Sequence, residues 1–248
     1  MGQSIDCVGV TKKYWRSEVL NKVTVSFPTG VTALLGTNGA GKTTLLSIMA
    51  TLTRPTSGQV KVAGYSLDTT AGVKEARQKI GFLPQSFEVI AGATVLENVE
   101  YSAWTHGVPA SDASHMAERM LKEVGLLERR TIRARKLSGG QRQRLGIACA
   151  VVHRPSVILL DEPTVGIDPI QRIDIRGLIT TLGKTATVVL STHLIEDVAD
   201  IAKRTVVLRD GRMVFDGYTR DLARGAQNTD GSGPDGKNHE EALMELMT

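Results

Sequence analysis

The stretch VTALLGTNGAGKTTLLSIM, residues 31–49, decides the fold. Its first five residues are short, apolar and partly β-branched, the pattern of a buried strand. A glycine-rich loop follows, from Gly36 to Thr43. Then Leu45, Ile48, Met49 and, just beyond the stretch, Leu52 fall at i, i+3, i+4 and i+7, one face of a helix. Strand, glycine loop and helix are the context in which G-x-x-x-x-G-K-[ST] cradles phosphates. Gly36, Gly39 and Gly41 let the backbone close on phosphate oxygens with its N–H groups turned inward. Lys42 can reach β- and γ-phosphates, and Thr43 offers a hydroxyl to Mg²⁺.

Outward from that loop, KVTVSF (22–27) and QVKVAG (59–64) read as strands. From Thr94 to His153 the period turns helical. Thr94 and Glu97 have capping-box spacing. Ser111 is expected to cap a second helix, whose stripe of Ala113, Met116, Ala117, Met120, Leu121 and Val124 ends at Gly125. Leu145, Ala148, Cys149 and Val152 mark a third. SVILL (156–160) and ATVVLS (186–191) are continuous apolar runs, as in strands buried on both faces of a parallel sheet. TVVLRDGRMVFDG (205–217) is a hairpin around Asp210-Gly211. GAQNTDGSGPDGKNH (225–239) reads as a flexible linker. A short helix bearing Ala242, Leu243, Leu246 and Met247 is expected to dock on the chain's own core.

The chain has 248 residues, 41% hydrophobic and 23% charged, enough to bury a real core. Its net charge of +4 is only mildly basic. Aromatics at 4% are too few for a base-stacking platform on single-stranded nucleic acid. Cys7 and Cys149 form no CxxC pair and read as reduced thiols. The N-terminus lacks a basic-then-apolar leader pattern. No apolar run reaches the roughly 18–20 residues of a bilayer span. A soluble, cytoplasmic chain is expected, with any membrane role carried by a partner.

VILLDE (157–162) ends a buried strand with two carboxylates, and ligands of open α/β sheets bind at such strand ends. Asp161 is placed to hold Mg²⁺, and Glu162 to act as general base on an attacking water. STH (191–193) puts His193 at another strand end. Gln85 follows the strand KIGFL (79–83) as a candidate ligand of Mg²⁺ or water. LSGGQ (137–141) opens a helix with two glycines, leaving amide groups uncovered for an anion. One small chain thus carries two phosphate cradles about a hundred residues apart.

Together these residues resemble one family, the nucleotide-binding subunits of ABC transporters, over roughly positions 5 to 217. Gly36–Thr43 matches the Walker A loop, Gln85 the Q-loop, Leu137–Gln141 the signature, Val157–Glu162 Walker B, VGID (165–168) the D-loop and His193 the switch histidine. The departures are Thr37 where Pro is more usual, Cys149 where a polar residue is expected, and VGID for AGLD. None removes a group needed for hydrolysis. The resemblance implies a P-loop NTPase (RecA-like) α/β core with an N-terminal antiparallel β subdomain and an inserted helical signature subdomain. It divides the chain into an ATPase domain over 1–225, with core 1–86 and 154–225 around a helical part 87–153, and a tail 226–248. It implies ATP and Mg²⁺ as cofactors. Nucleotide contacts fall at Tyr14, Gly36, Asn38, Gly39, Ala40, Gly41, Lys42, Thr43, Thr44, Ser138, Gly139, Gly140, Gln141 and Asp168. Metal contacts fall at Thr43, Gln85 and Asp161, and the hydrolytic roles at Glu162, His193 and Gln85. Tyr14, with Trp15 beside it, stands where the family stacks an aromatic on adenine; a place in the core is its alternative.

In this family two subunits, alike or different, pack head to tail, so one chain's two cradles belong to two ATP sites. A groove near Gln85 receives a coupling helix from an integral-membrane subunit, with FEVIAGATVLEN (87–98) as its lip. The pattern most resembles drug, antibiotic or lantibiotic export subunits, with no long C-terminal regulatory domain. The alternative is a soluble ABC ATPase on ribosomes or nucleic acid. Those fuse two such domains or insert coiled coils, and neither is seen here. A regulatory module without turnover is disfavoured by Glu162 and His193. RRTIRARK (129–136) has no interleaved aromatics, so no nucleic-acid partner is expected.

Overall fold

The computed structural model describes residues 4–194, 198 and 201–221. The tail 226–248, with the expected linker and short helix, lies outside the described residues.

Two sheets carry the fold. The first is antiparallel, in the order β2-β1-β4-β5, from β1 (Ile5–Tyr14), β2 (Ser17–Phe27), β4 (Ser57–Val62) and β5 (Tyr65–Ser66). The second has six strands, β10-β9-β3-β8-β7-β6. Its parallel members are β3 (Gly30–Leu35), β6 (Ile80–Leu83), β7 (Val157–Asp161), β8 (Thr187–Thr192) and β9 (Arg204–Arg209). The antiparallel β10 (Arg212–Tyr218) closes one edge.

The apolar runs of β3 and β7 are buried on both faces, and the alternation sorts them. Leu34, Val157 and Leu159 join the core shared with the antiparallel sheet and α1 (Lys42–Met49). Ala33, Leu35, Ile158 and Leu160 join the core beneath the helices α3 (Val95–Thr105), α4 (Ala110–Glu123), α5 (Gly139–Val151) and α6 (Pro169–Leu182). Each such fully buried Leu or Ile contributes about 1.5–3 kcal/mol. A short α2 (Thr70–Arg77) leads into β6.

The Asp210-Gly211 turn adopts the left-handed backbone its sequence demands, with φ of 49° and 72°. It is also a clasp. Gly211 O accepts from Asn21 N at 2.8 Å in β2, and Gly211 N donates to Ala40 O at 3.2 Å in the phosphate loop. A Cβ on Gly211 would stand 2.4 Å from Val19 O.

Two local expectations are corrected. Leu52 is 65% exposed, because α1 stops at Met49 and Thr51 turns left-handed (φ 63°), breaking the helical period. Ser111 does not cap α4. That helix begins at Ala110 with Pro109 as N-cap, and Ser111 Oγ donates instead to Asp112 Oδ1 at 3.2 Å. Proline's fixed φ starts the helix two residues earlier than the serine would. The box of Thr94 and Glu97 forms at α3 in both directions.

Among the described residues no helix is long and apolar enough to cross a membrane.

Candidate functional site

The phosphate loop joins β3 to α1. Gly41 is the N-cap of α1, with φ 104°. A Cβ there would meet Leu20 Cδ2 at 2.7 Å and Val19 O at 2.9 Å, so only glycine fits. Lys42 is buried, and its ammonium donates to Gly36 O at 2.7 Å and Thr37 O at 3.2 Å. It also lies 3.7 Å from Glu162 Oε1. Burial pushes the Lys42 pKa below its usual value, while the nearby charges of Glu162 and Asp161 oppose that shift.

The second wall comes from the ends of β7 and β8. Asp161 Oδ1 accepts from the hydroxyl of Ser191, and Asp161 Oδ2 is buried with no hydrogen-bond partner among the described residues. Glu162 turns sharply, with φ 51°. Its N–H is shared between Ser191 O at 3.2 Å and Ser191 Oγ at 3.1 Å. His193 Nδ1 lies 3.1 Å from each Glu162 carboxylate oxygen. A carboxylate only accepts, so Nδ1 carries the proton.

Between the walls opens a cavity of about 330 Å³, lined by Asn38, Gly39, Gly41, Lys42, Thr43, Thr44, Gln85 and Glu162, with Val19 at its edge. The structure thus brings the glycine loop, Gln85 and Glu162 to one place. Anions are favoured here by the amides and dipole at the start of α1, together with Lys42. Thr43 and Gln85 line the cavity and Asp161 Oδ2 is unpartnered among the described residues; their oxygens are of the kind that suits a hard divalent cation such as Mg²⁺.

The second cradle stands apart. Among the described residues, none of Ser138–Gln141 lines that cavity, nor does Asp168. Ser138 caps α5: its Oγ accepts from Gln141 N at 3.4 Å, and Gln141 Oε1 accepts from Ser138 N at 3.2 Å. No acidic residue sits in the first turn of α5. Gly139 faces open space, whereas Gly140 abuts Gln171. Asp168 is the N-cap of α6, its Oδ1 accepting from Gln171 N at 3.0 Å. Ala40 is buried, holding the hairpin clasp through its carbonyl.

Tyr14 does not join the core. It is 43% exposed, with Lys12 Nζ 4.8 Å from its ring centroid. Trp15 beside it is fully exposed.

Ser191 was not singled out by sequence reasoning, yet its buried hydroxyl ties Asp161 to Glu162. A hydroxyl residue ending an apolar strand, VVLST, was the available signal.

The sequence profile described as "ABC transporter" matches residues 20–165, more than half of the chain. The L-cystine transport system ATP-binding protein TcyN of Escherichia coli is 34% identical over 88% of this chain and 92% of its own length. The linearmycin resistance ATP-binding protein LnrL of Bacillus subtilis is 33% identical over 86% of this chain and 68% of its own. The macrolide export ATP-binding/permease protein MacB of Azoarcus is 35% identical over 86% of this chain, which spans only 34% of that longer relative. A solved ATP-binding subunit of an ABC transporter superposes with a TM-score of 0.84 at 25% identity, covering 98% of this chain and 99% of that one. A dimeric ATP-binding cassette in a post-hydrolysis state with ADP and Pi gives 0.78 at 29% identity, covering 86% of this chain and 98% of that one. On that profile, these relatives and this fold, the chain belongs to the ABC transporter family of ATP-hydrolysing nucleotide-binding cassettes.

Proposed function

We propose that this chain is the motor subunit of an exporter and works as half of a head-to-tail pair that encloses two ATP molecules. One observation carries the reading. The signature turn at the start of α5 lies outside the chain's own phosphate cavity, yet it offers an open helix N-terminus beside Gly139. Such a turn serves the γ-phosphate of another subunit's ATP. That a similar solved cassette is dimeric with ADP and Pi bound supports pairing.

Within one site, Lys42 exchanges its bonds to Gly36 O and Thr37 O for the β- and γ-phosphates of ATP. The amides of Asn38–Thr44 hold the remaining phosphate oxygens, and Tyr14 stacks on adenine. Thr43, Gln85 and Asp161 would hold Mg²⁺, which would supply charge neutralisation to the phosphates. Glu162 takes a proton from water as the water oxygen bonds to the γ-phosphorus and the bond to the ADP oxygen breaks. His193 keeps the Glu162 carboxylate aimed. Ser138, Gly139, Gly140 and Gln141 of the second subunit face the γ-phosphate, with Asp168 at the seam between subunits. Core segments 1–86 and 154–225 act with the helical insert 87–153 as one ATPase domain.

Transport runs through an integral-membrane partner. A groove of about 270 Å³ between β6 and the helical insert, lined by Pro84, Phe87, Val89, Ile90 and Tyr101, suits a short helix of that partner. The exposure of Ile90, Tyr101 and Trp104 supports the docking. Export is favoured by likeness to the macrolide and linearmycin proteins, although L-cystine and methionine transport proteins are also similar. The test is turnover against protein concentration, with membrane-protein co-purification. Specific activity that falls steeply on dilution, and capture of a polytopic membrane protein, are expected. Full turnover by a strict monomer, or capture of ribosomes or DNA, overturns the proposal.

A further inference from the structure

The two signature glycines stand in different surroundings. Neither has a left-handed backbone, so conformation does not demand glycine at either position. A Cβ added to Gly139 would meet nothing within 4 Å. One added to Gly140 would stand 1.5 Å from Gln171 Oε1 and 2.6 Å from Gln171 Cδ. Gln171 belongs to the first turn of α6, where its own N–H caps onto Asp168. Its side-chain Oε1 is buried against Gly140 without a hydrogen-bond partner among the described residues. A further turn along α5, Arg144 Nη1 lies 3.8 Å from Asp174 Oδ2. The opening of α5 is therefore fastened to the opening of α6 at two heights.

We propose that Gln171 is a positioning residue for the signature turn, and that Gly140 is the socket that admits it. Gly139, by contrast, is glycine to leave room for a nucleotide. The inference rests on the paired-subunit reading above. The contact sets the distance between the α5 amides and Asp168, two groups that must reach the second subunit together. A side chain at position 140 expels the Gln171 carboxamide from its seat and so loosens the tie between α5 and α6 within one chain. A side chain at position 139 blocks approach between chains.

The test uses the full chain with Gly139→Ala, Gly140→Ala, Gln171→Ala and each glycine variant combined with Gln171→Ala. Overpacking at either glycine is expected to lower turnover by about tenfold or more. ATP affinity of the monomer stays at the wild-type value, because the phosphate cavity is untouched. Adding Gln171→Ala to Gly140→Ala brings turnover back to within about threefold of Gln171→Ala alone, since touching residues are coupled. The same addition does nothing for Gly139→Ala. Should Gly140→Ala fail to fold, recovery of its melting temperature in the double variant is the readout. No rescue of Gly140→Ala, or equal rescue of both glycine variants, overturns the proposal. Wild-type turnover independent of protein concentration would remove the pairing while leaving the rescue intact.

Discussion

Lys42 and Glu162 face each other 3.7 Å apart on the floor of the phosphate cavity, both buried. Each keeps the other's charge tolerable where water is scarce. The glutamate is also held by His193 at 3.1 Å, so its carboxylate sits between two nitrogen donors. Phosphates that draw Lys42 away leave Glu162 with the histidine alone. The substitution Glu162→Gln keeps the shape and removes the base. Phosphate release is expected to fall by about 10²–10⁴. ATP binding should persist, and ATP-dependent dimers should accumulate, seen by size-exclusion chromatography. Turnover unchanged in this variant would mean that another group takes the proton.

Ser191 donates to Asp161 and accepts from the Glu162 N–H. Ser191→Ala removes both bonds at a fully buried position. Stability is expected to drop by about 1–3 kcal/mol, read from urea denaturation. Turnover should fall with it, because the Asp161 carboxylate loses its hydroxyl donor and the Glu162 N–H one of its two acceptors. A variant as stable and active as the wild type would show that strand geometry alone holds them.

Two capping boxes allow a comparison between scaffold and site. Thr94 caps α3 and Ser138 caps α5 with the same reciprocal bonds. Replacing either with alanine is expected to cost about 1 kcal/mol. Only Ser138→Ala should also depress ATP-dependent dimerisation. Equal effects of the two variants on dimerisation would place Ser138 outside the shared site.

His153 makes a pH prediction. Its ring stacks on His106 at 3.9 Å, and its Nε2 bonds to Ile80 O at 3.1 Å. Burial, reinforced by the neighbouring His106, pushes its pKa from 6.5 down to about 4. As pH falls through 6.5 the unfolded chain takes up a proton that the folded chain refuses until about 4. Stability is therefore lost across that window and levels below it, by an amount on the order of 3 kcal/mol. The pH slope of urea midpoints should be shallower in His153→Gln than in the wild type. Identical slopes would sink the assignment.

How much of this was legible in the chain depends on distance along it. The phosphate loop, the buried strands, the Thr94 box and the Asp210-Gly211 turn are local patterns, and all formed as read. Leu52 and Ser111 failed within three residues of a helix end, where a left-handed Thr51 and a helix-starting Pro109 outweighed periodicity. Tyr14 could be placed near adenine only by resemblance; its exposure became visible with the fold. Ser191 and Gln171 were not singled out, because what they do depends on residues about thirty positions away. Period and composition carry no information about such pairings.

The central strand β3 hydrogen-bonds only to β8 and β9 within its sheet, and the loop that follows it is clasped by Gly211. Partners of a segment near residue 30 are thus made about 150 residues after it. A nascent chain emerging from the ribosome carries its phosphate loop unsupported until they follow. Such late, sequence-distant closure is slow. Nucleotide capture by a partly made chain should therefore begin only after the β9–β10 hairpin has cleared the exit tunnel.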